Sequence, residues 1–286
     1  MHQTIALASE RLAARTPGRQ PDLVFDVGMN ICEDTDFYLR KGFRVVVVEA
    51  DPASCAKAMA RYPSEIASGR LTVLNRAISE TDEPLRFYVC RTMSAWSTAS
   101  RELRDQWARQ GATLQEIEVP VIASTQLIET YGVPAVAKID IEGFDLVGLA
   151  GFRAAGQAPH YVSVEVDFYR IDALMNMLGA LGYRRFALVG QSTVPEQRPR
   201  AGGVEGRPIE YRFAQGCSGY FGDELAVEWV GAKALRRRCA GVIAQYRAAG
   251  VVGRLGKLPM LGSGGERVRK TWLPLAADRY DIHAAL

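Results

Sequence analysis

Short, continuously apolar runs recur along the chain at residues 23–27, 44–49, 71–77, 135–141 and 161–166, and helical stretches separate most of them. A strand that is apolar at every position is covered on both faces, the condition of a parallel strand between two helical layers. Strand and helix signals that alternate in this way predict an α/β fold with a mostly parallel, doubly wound sheet and helices on both faces. Residues 84–90 and 116–122 read as further strands around a helical segment at 101–110, and a helix at 173–181 leads into a strand at 183–189. Residues 4–15 read as an amphipathic lead-in helix, stopped by Pro17-Gly18. The stretch 195–208 holds three prolines, three glycines and three arginines and reads as a flexible loop, expected to order over the site. Residues 208–213 read as an antiparallel return beside the strand before the loop. Leu235, Cys239, Val242 and Tyr246 recur at helical spacing. The expected organisation is therefore a domain over 1–222, with its core at about 20–190, and a helical extension and tail over 223–286.

Composition narrows the class without changing that picture. The 286 residues are 48% hydrophobic and 23% charged, as in an ordinary globular protein. Five cysteines with no C-x-x-C pair argue against a disulfide framework or a zinc site. No apolar run approaches a membrane span, and the first twenty residues lack an apolar signal core, so the expected location is the cytoplasm. The net charge is +3, but residues 231–270 carry ten basic residues against one acid. Because no aromatics alternate with those charges, a solvated helix face is preferred over a nucleic-acid surface.

Candidate chemistry starts at the first turn. The strand ending in Asp26-Val27-Gly28-Met29-Asn30 runs into a helix from about Glu33. Gly28 lets a ligand approach the backbone, and Glu49 closes the second strand 21 residues later, the spacing of an acid that binds a ribose diol. The fingerprint G-x-G-x-x-G of dinucleotide folds is absent. Cys32-Glu33-Asp34 makes an acidic helix start, which repels a pyrophosphate and suits a nucleoside with a positive or zwitterionic tail, such as S-adenosylmethionine.

Phe25-Asp26-Val27-Gly28-Met29-Asn30 with Thr35, then Val48-Glu49-Ala50-Asp51-Pro52, then Asn75-Arg76-Ala77-Ile78-Ser79 resemble the FkbM-type methyltransferases. Ala137-Lys138-Ile139-Asp140-Ile141-Glu142-Gly143-Phe144-Asp145 resembles the same family's most recognisable segment, and the match spans about residues 20–190. Residues 216–224 and 280–284 also resemble some bacterial members. The resemblance implies a class I Rossmann-like methyltransferase fold and S-adenosylmethionine-dependent O-methyl transfer. It implies a methionine end near Asp26, Gly28, Asn30 and Thr35, a ribose on Glu49, and an adenine near Ala50, Asp51, Asn75 and Ala77. Asp140 would close the pocket beside the acceptor. The chain departs from the family at Cys32, where glycine is common. A cysteine turning with negative φ is the expectation there, with weakened cofactor binding as its consequence.

Transfer to a hydroxyl requires that its proton be removed or its oxygen polarised. Asp140 and Glu142 end one strand, and Glu165 and Asp167 end the next, with Lys138 just upstream. Asp140, Glu142 and Glu165 are the catalytic candidates. They serve either as a direct base or as hard ligands for a divalent ion that acidifies the hydroxyl. The structural alternative has them capping helices, with Asp145 starting the next one. A cation must relieve their mutual repulsion: the sulfonium, a metal ion, or Lys138. His2 belongs to a fraying terminus, His160 reads as structural and His283 as a surface residue; Cys32 reads as a packed thiol. Ser94, Trp96 and Ser97 are candidates for stacking or a lid. The expected partner is a small-molecule hydroxyl acceptor, a sugar or secondary metabolite, with neither nucleic acid nor membrane. The competing functions are a nicotinamide-dependent oxidoreductase, a non-catalytic nucleoside-binding module and, through residues 231–270, a nucleic-acid methyltransferase.

Overall fold

The computed structural model describes residues 18–255 and 278–286. The helix expected at 4–15, His2 and the basic residues from 256 to 270 lie outside the described residues. In chain order the elements are β1 (Gln20–Val27), α1 (Glu33–Arg40), β2 (Arg44–Glu49), α2 (Pro52–Arg61), α3 (Pro63–Ala67), β3 (Leu71–Asn75), β4 (Ala77–Ile78) and β5 (Leu85–Cys90). There follow α4 (Arg101–Arg109), β6 (Leu114–Val119), β7 (Val121–Ile122), α5 (Ser124–Tyr131), β8 (Pro134–Ile139), α6 (Asp145–Ala154) and β9 (Tyr161–Glu165). The series closes with α7 (Ile171–Ala180), β10 (Arg185–Gly190), α8 (Ala232–Leu255) and β11 (Tyr280–Ala285).

Among the described residues, seven strands form the main sheet in the order β10-β11-β9-β8-β1-β2-β3. The pairs β1–β2, β1–β8, β2–β3 and β8–β9 are parallel, and β11 runs antiparallel to both neighbours. The sheet is therefore doubly wound and mostly parallel, as the alternating runs predict. Val24, Val45, Val47 and Val136 face one core layer with α1 and the aromatic side chains Phe213, Tyr220 and Phe221. Phe25, Val46, Ala137, Val162 and Ile282 face the other layer with Leu127, Leu149, Leu174 and Leu235. Burial on both faces explains why these strands lack the polar alternation of a half-exposed sheet. Chain order reverses between β1 and β8, and the crevice beyond the carboxyl ends of those two strands is where ligands bind in such sheets.

Three expectations are corrected. Residues 280–285 are not an appended tail but a strand buried between β9 and β10. Residues 208–213 form no strand, because β11 occupies the place beside β10. The stretch 195–208 does not cover the crevice; it packs at the opposite end of α1. There the amide of Arg207 donates to the Lys41 carbonyl at 2.7 Å, and Lys41 Nζ lies 2.5 Å from Glu224 in a fully buried ion pair. Buried Glu205 accepts the amides of Asp223 and Val204, which fixes the loop further. The α8 stripe is as expected, with Leu235, Cys239 and Val242 buried. No helix among the described residues is long and apolar enough to cross a membrane.

Candidate functional site

At the end of β1, Gly28 has φ +85°, and a Cβ there would stand 1.8 Å from the Asp140 carbonyl oxygen. Glycine is required because β1 and β8 pass too closely at their ends for any side chain. Asn30 and Cys32 follow with φ 53° and 70°, so the cysteine holds a left-handed turn rather than the negative φ expected. Its thiol is buried against Met29 and pushed up to about 12 by burial, then by Asp26. It is a packed group and not a nucleophile.

The turn is tied to β2. Glu49 Oε2 accepts the Asn30 amide and Oε1 accepts the Asp51 amide, both at 2.8 Å. Burial nevertheless raises the Glu49 carboxyl to about 7. The Asn75 amide donates to the carbonyls of Glu49 and Ala50 at 3.0 Å, which shapes the strand end. Asp51 caps α2 through the Ala53 amide and also pairs with Arg91.

One pocket opens above these ends. It is lined by Gly28, Asn30, Glu49, Ala50, Asp51 and Ala77 on one side, and by Lys138, Asp140, Glu142 and Phe144 on the other. Most of the predicted site residues are thus brought together. Asp26, Thr35, Asn75 and Glu165 do not line the pocket. Asp26 and Thr35 are fully buried and bonded to each other, Thr35 Oγ1 donating to Asp26 Oδ2, so they support the floor. Trp96 is also withdrawn, because its ring stacks on Trp107 of α4 at 4.8 Å; Ser94, Ala95 and Ser97 line the pocket instead.

Lys138, one of the cations weighed for the carboxylates, is central. Its buried ammonium donates to the Gly28 carbonyl and lies 3.6 Å from Asp26 and 3.9 Å from Asp140. Burial works against its charge, but Asp26 and then Asp140 outweigh that and raise its proton affinity. Strand register continues this row across the same sheet face, Asp26 beside Lys138, Lys138 beside Ser163, and Ser163 beside His283. His283 is consequently buried, not a surface residue, with Nε2 3.4 Å from Ser163 Oγ.

Asp140, Glu142 and Glu165 each offer an oxygen within 4.8 Å of the other two, a grouping with the donors for a hard divalent ion. Arg279 stands among them. Its Nη2 lies 2.6 Å from Glu142 and 3.8 Å from Asp140, and its Nε bonds Glu165. Burial disfavours the Asp140 carboxylate, yet Lys138 and Arg279 overcome it and hold its pKa below the usual range. Glu142 is pushed up to about 8 and Glu165 is also raised, in both cases by burial first. Glu142 has φ 46°, and its carbonyl accepts Thr98 Oγ1 at 2.8 Å. Asp145 accepts the amides of Ile141 and Gly143 and so closes the turn into α6. Sequence reasoning missed Arg279, since nothing local marks a contact that spans 137 residues.

A SAM-dependent methyltransferase from Geobacter sulfurreducens in complex with S-adenosyl-L-homocysteine is similar at 11% identity and TM-score 0.34, over 98% of this chain and 90% of that one. An O-methyltransferase from Bacillus cereus matches at 14% identity and TM-score 0.34, over 66% and 74%. Precorrin-6y C5,15-methyltransferase from Geobacter metallireducens matches at 9% identity and TM-score 0.35, over 66% and 77%. A search of curated protein sequences returned no significant match. The model of the methyltransferase FkbM domain matches residues 26–185, which include the glycine turn, Glu49 and the Asp140–Glu142 segment. The chain belongs to the FkbM methyltransferase domain family.

Proposed function

We propose that the pocket binds S-adenosylmethionine and that the protein methylates a hydroxyl of a small molecule, a sugar or a secondary metabolite. The observation that carries this reading is the division of one pocket between Glu49 and Glu142, which lie on opposite sides of the chain reversal. Glu49 faces the pocket with each oxygen already oriented by a backbone amide, and a carboxylate oxygen has room for a second donor, as a ribose diol requires. The glycine turn, Asn30 and Glu33 would hold the methionine end, whose ammonium suits the acidic start of α1. Ala50, Asp51 and Ala77 would enclose the base. When bound, S-adenosylmethionine supplies an electrophilic methyl group on a sulfonium.

The chain's own residues would then do two things. Asp140 remains ionised beside Lys138 and Arg279, and the acidic pocket favours a cationic ligand. Glu142 takes the acceptor's proton. Its proton affinity, raised by burial to about 8, suits a base working near neutral pH, and it lines the pocket while Glu165 does not. Because the deprotonated form is the base, turnover is expected to rise as pH increases through about 8.

The test is transfer of a labelled methyl group to a panel of sugars and phenols, followed by location of the methyl in the product. Label on oxygen with wild type, and a loss of about 10²–10⁴-fold in kcat for Glu142→Gln, support the reading. Label on nitrogen or carbon would retain methyl transfer and overturn the hydroxyl assignment. Titration with S-adenosylhomocysteine that gives no binding would overturn the cofactor.

A further inference from the structure

We propose that Arg279 is the resident cation of the Asp140–Glu142–Glu165 cluster, a positioning residue that occupies the place a divalent ion would take. Three carboxylates this close repel one another unless a proton or a cation relieves the charge. Lys138 reaches Asp140 at 3.9 Å, and its other partners are Asp26 and the Gly28 carbonyl. The guanidinium answers the remaining pair. Nη2 bonds both Glu142, at 2.6 Å, and Glu165, with Asp140 at 3.8 Å, and Nε adds a second bond to the same Glu165 oxygen. A lysine ammonium can carry the charge here, but it lacks the second nitrogen that also holds Glu165.

The backbone that carries Arg279 is fixed on both sides. The Arg279 carbonyl accepts the Gln191 amide at 2.8 Å, and the next carbonyl, of Tyr280, accepts the Val166 amide at 2.8 Å. On the other side, Asp278 accepts both the amide and the hydroxyl of Ser192, at 2.9 and 2.7 Å, and its carbonyl accepts the Tyr246 hydroxyl. Gly190 makes this possible, since a Cβ there would stand 2.4 Å from Asp278 Oδ2. The guanidinium is thus delivered by an anchored strand start, and its head is placed before any ligand arrives. Arg279 also lines the pocket, so the group that orders Glu142 is itself in view of the acceptor. In this arrangement the three carboxylates are held without a metal, and Arg279 sets the direction of the Glu142 oxygens.

The inference rests on the proposed function only for the use of the pocket, and its test reads the cluster directly, so a failed transferase assay leaves it standing. Calcium chloride is titrated calorimetrically into the full chain at neutral pH, with melting temperature as a second readout. Wild type is expected to show no saturable uptake. Arg279→Gln, with its cation removed, is expected to take up one Ca²⁺ with a Kd of about 10⁻⁵–10⁻³ M, and Glu142→Gln in that background to abolish the uptake. Arg279→Lys keeps a charge in place and is expected to remain silent to Ca²⁺; it also serves if Arg279→Gln does not fold. Low millimolar guanidinium is expected to raise the melting temperature of Arg279→Gly but not of wild type. Saturable Ca²⁺ or Mg²⁺ binding by wild type that is lost in Glu142→Gln would make the cluster a metal centre and overturn the proposal. Absence of Ca²⁺ uptake by a folded Arg279→Gln, or saturable uptake by Arg279→Lys, would equally overturn it.

Discussion

Glu49 Oε2 accepts the backbone amide of Asn30 at 2.8 Å, which joins the turn after β1 to the end of β2. The bond spans 19 residues and crosses the two strands whose ends form the floor of the pocket. It gives Glu49 two tasks, since the same carboxylate holds a left-handed turn residue and faces the space where a ribose would lie. Replacing Glu49 with alanine is expected to weaken S-adenosylhomocysteine binding by about 1.5–3 kcal/mol, as for a charged hydrogen bond. Calorimetric titration checks this, and unchanged affinity would place the ribose elsewhere.

Gly28→Ala is expected to destabilise the protein more than it alters binding chemistry. The added methyl would meet the Asp140 carbonyl at 1.8 Å, and φ +85° is itself unfavourable for alanine. The two ends of β1 and β8 must separate, at a cost of at least about 3 kcal/mol. Scanning calorimetry should show the transition lowered by roughly 6–12 °C. A melting temperature within a degree of wild type would mean that the strand ends have slack.

Lys138→Met leaves Asp26 buried beside an apolar neighbour and removes one of two cations near Asp140. Breaking a buried pair from one side costs about 3–5 kcal/mol. The urea midpoint of Lys138→Met should fall accordingly, and Asp26→Asn in the same chain should recover part of the loss. A single variant as stable as wild type would show that the Asp26–Lys138 pair contributes nothing to stability.

His283 gives a pH dependence with a definite sign. Burial pushes its pKa down from 6.5 to about 4, so the folded state binds fewer protons than the unfolded chain between those values. Its contribution to stability is complete above pH 6.5 and is lost as pH falls toward 4, by on the order of 3 kcal/mol. Buried carboxyls with raised pKa, such as Asp281 at about 6, act in the opposite sense over the same range. The difference between wild type and His283→Gln isolates the histidine: the wild-type advantage should shrink steadily from pH 6.5 to 4. A constant difference across that range would show that His283 remains protonated in the fold.

The local signals carried the central sheet because its strands are apolar at nearly every position and its turns carry glycine or capping residues. Val45 to Val48 admits little besides a buried strand, and Asp51-Pro52 opens α2 as its cap and first residue. The cofactor side of the pocket was legible for the same reason, since Gly28, Asn30 and Glu49 lie within two adjacent strand–helix units. The acceptor side was not. Tyr280-Asp281-Ile282-His283 reads as a polar tail, and its burial follows from the polar partners it meets, Ser163 of β9 for His283 and Gln191 for Asp281. Asp26 and Thr35 have the right types for ligand contact but turn inward, Thr35 bonding Asp26 and Asp26 facing Lys138 at 3.6 Å. The stretch 195–208 has a loop's composition, yet buried Glu205 and the Lys41–Glu224 pair hold it.

The insertion of β11 also shapes how this part of the molecule opens. Among the described residues β10 pairs with β11 on one side and meets only a single bridge, Phe186 to Val230, on the other, and Ser163 and His283, neighbours across β9 and β11, are 120 residues apart in sequence. If β11 leaves, β10 keeps only its bridge from Phe186 to Val230, and Arg279 is withdrawn from the carboxylates. Amide hydrogen exchange should therefore find β10, β11 and the outer edge of β9 exchanging together as one cooperative unit, while β1, β2 and β8 exchange more slowly. Such an opening would couple the edge of the sheet to the pocket by the loss of a single strand.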